Sequence, residues 1–155
     1  TDFHTHLLPD IDCAGHPETS AKLLKNIESL GIQNIVLTPH FYPDSYSSVD
    51  SFLKHRESKV NRLLEALEAE GVNNISITVG AEVLLCPGLE KMEGLEKLCI
   101  GNTNNILIEM PDLPWSDVLI DSLRKIKKKL GLEVIIAHAD RYGKELAETL
   151  MSLGF

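Results

Sequence analysis

The chain has 155 residues, 43% of them hydrophobic, which is enough for one domain with a real core. A formal net charge of −8 and a pI near 5.2 argue against nucleic acid as a main partner, because phosphate backbones are bound by basic surfaces. Acidity does not exclude a phosphorylated substrate, since bound cations reverse the local field. No apolar stretch approaches a membrane span and no signal-peptide pattern opens the chain; the odd set Cys13, Cys86 and Cys99 has no CxxC pair, which fits a reducing cytoplasm.

In chain order the pattern is strand, then helix, repeated about five times. The run TDFHTH reads as a first strand. Pro17 and Glu18 open a helix with apolar residues Leu23, Leu24, Ile27 and Leu30 at helical spacing, and Gly31 ends it. Residues Asn34 to Thr38 form the second strand, followed by a loop from Pro39 to Ser48 long enough to be functional. Val49 to Glu70 is a second helix closed by Gly71, and Ile75 to Glu82 a third strand. A short helix is expected after Gly88, a fourth strand at Ile106 to Glu109, and an amphipathic helix from Asp117 to Leu130 ended by Gly131. Strand five, Glu133 to Ala137, is almost wholly apolar, as for a strand covered on both faces, and Gly143 to Leu153 begins a last helix. Such alternation predicts an α/β fold of parallel strands with right-handed crossovers. A closed eight-unit barrel takes about 250 residues, so five units make an open sheet or the first part of a larger barrel.

Candidate chemistry sits at the strand ends. Asp2, His4 and His6 would share one face of the first strand, because side chains alternate. Two imidazoles two positions apart can chelate one divalent ion, and Asp2 is expected to orient one of them through its free N–H. His40 lies just past strand two, Glu82 and Glu109 end strands three and four, and His138 ends strand five. A carboxylate closing an apolar strand is costly to bury alone, so a nearby cation is the economical explanation. Arg141 has the fork geometry to grip an anionic oxygen pair. His, Glu and Asp ligands without a thiolate cluster suit Mn²⁺, Fe or Zn²⁺, and bridging carboxylates favour two or more ions. The run Arg124, Lys125, Lys127, Lys128, Lys129 reads as a solvated helix end favoured by the dipole. Cys86 and Cys99 read as core or near-surface thiols, and His16 and His55 as ordinary surface residues.

The ordered set DFHTHLLPDID, TPHFYP, GAEV, ILIEMP and HADRY resembles the polymerase-and-histidinol-phosphatase (PHP) superfamily, and most closely its bacterial branch of capsular or exopolysaccharide protein-tyrosine phosphatases. The resemblance covers essentially the whole chain. It implies a distorted, TIM-like (β/α) barrel carrying two or three ions, usually Mn²⁺, and a metal-activated hydroxide that attacks phosphorus while arginines hold the phosphoryl oxygens. His4, His6, Asp12, His40, Glu82, Glu109 and His138 would hold metal, with Arg141 and His40 at the reacting group. The expected substrate is phosphotyrosine in a cytoplasmic protein of polysaccharide export, a tyrosine kinase among the candidates, with homo-oligomerisation left open. The family carries an acidic pair after the first strand; here Asp12 is followed by Cys13, so Cys13, Asp12 or Asp10 is left to complete that ligand set. The family's last strands add an Asp-x-His pair and an arginine that this sequence does not reach, so residues 1–155 are expected to be one PHP-type domain forming the N-terminal part of a longer barrel.

Other readings compete. A small-molecule phosphatase of the same superfamily, such as one acting on histidinol phosphate, would use the same residues. An amidohydrolase also begins with His-x-His, but Glu109 stands where that class commonly carries a bridging lysine. A degenerate metal-binding domain without activity is the non-enzymatic alternative.

Overall fold

Among the described residues, seven short parallel strands are arranged as five lanes in sequence order, with helices packed against them. A computed structural model describes residues 1–12, 15–112 and 114–155. The elements are β1 (Asp2–Thr5), α1 (Pro17–Ser29), β2 (Asn34–Leu37), β3 (His40–Phe41), α2 (Val49–Glu70), β4 (Ser76–Val79), β5 (Glu82–Leu84), β6 (Asn105–Glu109), α3 (Asp117–Leu130), β7 (Glu133–Ile136) and α4 (Gly143–Ser152). One ladder runs β1-β2-β4 and the other β3-β5-β6-β7. No helix of the described residues is long and apolar enough to cross a membrane.

The parallel α/β alternation is as expected, but the second and third predicted strands are each broken in two. The first break falls at Thr38-Pro39, where proline supplies no N–H to the ladder. Thr38 spans it: its N–H donates to Thr5 O at 3.0 Å and its Oγ1 accepts from Thr5 N at 3.2 Å. The second break falls at Gly80-Ala81. Gly80 N–H still reaches Leu37 O (2.8 Å) and Glu82 N–H reaches Pro39 O (3.0 Å), so the lanes stay joined while the strands change direction. Glu82 therefore opens β5 instead of closing one long strand, and lies directly beside His40 in the β3–β5 register.

Two cores hold the outside. One lies between α1, α2 and the β1-β2-β4 ladder around Leu24, Ile35, Leu37 and Leu63. The other lies under β5, β6, α3 and α4 around Phe52, Val83, Ile106, Leu123 and Ile126. Helix α2 serves both, through Phe52 and Leu63, each fully buried and worth about 1.5–3 kcal/mol of transfer free energy. Its start is fixed by a reciprocal cap, Ser48 Oγ accepting from Ser51 N at 3.1 Å and Ser51 Oγ from Ser48 N at 3.3 Å. The basic run occupies the last turns of α3 as expected. Strand β7 differs: Ile135 is 43% exposed, because β7 pairs with β6 alone and only one of its faces is covered.

The break at Gly80 has no room for a side chain. A Cβ there would meet Ile100 Cγ1 at 3.0 Å and Ile100 Cα at 3.2 Å, and the second contact is backbone that cannot swing aside. Gly80→Ala is expected to lower unfolding free energy by about 1–3 kcal/mol in urea titration, from overpacking. An unchanged midpoint would show that the break tolerates a methyl group.

Candidate metal centre

The centre is organised by one fully buried carboxylate. Glu82 is 1% exposed, and its two oxygens face four imidazoles from three lanes of the sheet, His4 and His6 sharing the first. Oε2 stands 3.6 Å from His4 Nε2, 3.1 Å from His6 Nε2 and 3.0 Å from His40 Nδ1, while Oε1 stands 2.9 Å from His138 Nε2. The two Nε2 atoms of His4 and His6 are 2.9 Å apart.

Each ring arrives by a local feature of the chain. His4 lies in β1 and His6 one residue beyond it, after an irregular register between Asp2 and Thr5. His40 begins β3 directly after the proline break. His138 follows β7 in a left-handed conformation (φ 50°), which turns its ring inward; a non-glycine residue there is costly and is held only where surroundings require it. The 3-10 turn Ala139–Tyr142 completes this corner, with Tyr142 OH accepting from Met110 N at 3.0 Å and so fixing the turn against the end of β6.

Electrostatics divides the rings. Burial alone would pull His6 down, but the Asp12 and Glu82 carboxylates outweigh it and push its pKa up to about 9. His4 goes the other way: burial lowers it, Glu82 opposes this, and the neighbouring imidazoles add to the lowering. Burial would raise Glu82, yet the His6 imidazole close beside it and the charges of His4 and His40 hold it below the usual carboxylate range. The metal-free cluster thus favours the charged imidazolium of His6 beside the charged carboxylate of Glu82.

The donor set fits a divalent cation. Among the described residues, both Glu82 oxygens and His40 Nδ1 are buried without a hydrogen bond, although ring nitrogens crowd the carboxylate. Buried polar atoms are rarely left so, and crowded lone pairs converging on one point match coordination by nitrogen and oxygen. His4, His6, Glu82 and His138 offer ligand atoms within 4.8 Å of one another, and so do His40, Glu82 and Glu109; Glu82 belongs to both groups.

Of the residues expected in the site, the structure gathers His4, His6, His40, Glu82, Glu109 and His138. Asp12 is not among them. Its buried carboxylate lies behind His6, with Oδ1 3.3 Å from His6 Nδ1 and accepting from His40 N at 3.3 Å, and Oδ2 accepting from Leu8 N at 3.2 Å. It therefore does what was expected of Asp2, which only accepts from the His4 backbone N. Asp10 is drawn off by Lys59 and Arg62 at 2.8 and 2.9 Å, and Cys13 lies outside the described residues. Arg141 sits exposed in the turn after His138, its guanidinium without an ion pair among the described residues. Cys86 and Cys99 are free thiols, half-buried and buried. His55 is more than a surface residue, since its Nδ1 lies 3.3 Å from Tyr46 OH. The sequence reading missed Tyr42, whose ring lies parallel to His40 at 5.3 Å, and Tyr142; only their nearness to TPH and HAD pointed to them.

Comparison with known proteins agrees with this geometry. A solved structure described as YwqE from Bacillus subtilis and CpsB from Streptococcus pneumoniae, unique metal-dependent tyrosine phosphatases, superposes with a TM-score of 0.72 at 25% identity, covering 90% of this chain and 56% of that one. The Staphylococcus aureus protein named "Putative tyrosine-protein phosphatase CapC" is 28% identical over 144 residues, which are 90% of this chain and 54% of the relative. The chain thus spans about half the length of the relatives it matches. The family model for capsular polysaccharide synthesis, CpsB/CapC, matches residues 1–153, and the chain belongs to that family.

Proposed function

We propose that this chain carries the catalytic centre of a metal-dependent phosphomonoesterase acting on phosphotyrosine in cytoplasmic proteins of capsular polysaccharide synthesis, an export-linked tyrosine kinase among them. The observation that carries this reading is Glu82, buried without a hydrogen bond and faced by four imidazoles. The names of a relative and of a solved structure, both tyrosine phosphatases, support the substrate class.

His4, His6, Glu82 and His138 would hold one ion and His40, Glu82 and Glu109 a second, with Glu82 shared. Divalent ions there, Mn²⁺ first and Fe or Zn²⁺ also compatible with these donors, supply positive charge against the phosphoryl group and acidify a coordinated water. Asp12 fixes His6 through Nδ1 so that Nε2 faces the centre. Tyr42 and His6 both stack against the His40 ring and would hold its orientation at the edge of the reacting group. Arg141, exposed in the turn that follows His138, would hold phosphoryl oxygens bidentately.

Hydrolysis of a phosphotyrosine peptide is expected to vanish on chelation and return with Mn²⁺. Glu82→Gln is expected to lose about 100-fold or more in kcat/KM and to bind Mn²⁺ weakly, because a neutral amide replaces the shared carboxylate. Wild-type chain that binds Mn²⁺ without turnover would instead identify a metal-binding domain.

A pH effect follows from His6. Its folded pKa of about 9 lies above its ordinary 6.5, so its contribution is present in full below pH 6.5 and lost as pH rises through about 9. His4, shifted downward, acts only on the acid side of 6.5. The chelated chain is therefore expected to lose stability between pH 6.5 and 9 in denaturant titrations, with His6→Asn flattening that slope. A flat wild-type profile over this window would remove the proton from His6.

A further inference from the structure

We propose that Arg56, on the inner face of α2, is a positioning residue for the metal centre: it holds the Gly80 carbonyl at the strand break and so fixes where Glu82 enters the cluster. This role rests on the metal-centre reading above.

Gly80 lies between the two ladders, where its carbonyl falls outside both strands. Arg56 Nη1 donates to it at 2.6 Å. Two residues later the chain must deliver a fully buried carboxylate to a point where four rings converge, with Glu82 N–H on Pro39 O as its other anchor. Ile100 leaves no room for a side chain at Gly80, so both the helix, through Arg56, and the loop bear on the break.

The guanidinium is placed unusually for a general stabiliser. Among the described residues no carboxylate lies within ion-pair distance of it, and its charge rests on a backbone carbonyl and over the Phe52 ring at 5.6 Å. Burial pulls its pKa below the ordinary arginine value, which is a cost that an exposed orientation would avoid. The planar fork, carrying several N–H donors on a rigid frame, suits a fixed carbonyl better than an ammonium does.

The same helix steadies a second strap of the site. Lys59 and Arg62, one and two turns further along, hold Asp10 of the loop that carries Asp12. Asp10 is exposed and those pairs are weak individually. Arg56 is the contact of α2 that reaches the buried side of the break.

Mn²⁺ affinity by calorimetry on the full chain, well below the thermal midpoint, tests this. Arg56→Met keeps the apolar stem without a donor and is expected to bind about tenfold more weakly, the loss usual for supports behind a ligand, while Arg56→Lys recovers most of the affinity. Arg56→Gln, which keeps polarity but is too short to reach Gly80, is expected to match Arg56→Met and serves if the latter does not fold. Wild-type affinity in a folded Met or Gln variant, whatever its melting temperature, would overturn the positioning role. Failure of the wild type itself to bind Mn²⁺ would overturn the metal centre, and this role with it.

Discussion

A single ionised carboxylate in the interior sets the terms for the rest of this structure. Glu82 is shielded from water, and a charge so placed is tolerated only beside opposite charge or coordinated metal. The first lane of the sheet brings two imidazoles to it, the lanes of β3 and β7 bring one each, and the β6 lane adds Glu109. The Asp12 and Glu82 carboxylates favour a proton on His6. A metal held through His6 Nε2 would compete with that proton for the same lone pair, so its binding would depend on pH.

Convergence of this kind requires the sheet to bend. A straight strand from Ile75 to Glu82 would set the carboxylate by the ordinary strand alternation, without the step that places it beside His40. The breaks at Thr38-Pro39 and Gly80-Ala81 lie side by side, and the hydrogen bonds from Thr38, Gly80 and Glu82 carry the pairing across them. One break comes from a missing N–H and the other from a missing Cβ, two unrelated chemical routes to the same change of direction. Helix α2 supports both cores and the second break, so scaffold and site share their anchoring.

Strain is concentrated where the site needs it. His138 and Asp10 are the non-glycine residues with left-handed backbone among the described ones, the first within the cluster and the second two residues before Asp12. Each is restrained by neighbours, His138 by the turn tied to Met110 through Tyr142 and Asp10 by two cations of α2. Such restraint is what lets a costly conformation persist.

Periodicity and strand-end chemistry were enough, from the sequence alone, to place the parallel α/β alternation and the gathering of His4, His6, His40, Glu82, Glu109 and His138. Those features are local: apolar spacing selects helix or strand, and residues at equivalent ends of parallel strands meet at one edge. Only the tertiary structure decided that Asp12 and not Asp2 stands behind His6, because that depends on how a loop folds back. It alone decided that Glu82 opens a strand, that β7 leaves Ile135 exposed, and that Arg56 reaches Gly80 across 24 positions. Those contacts join residues distant in the chain through backbone atoms, and backbone carbonyls carry no signature in a sequence.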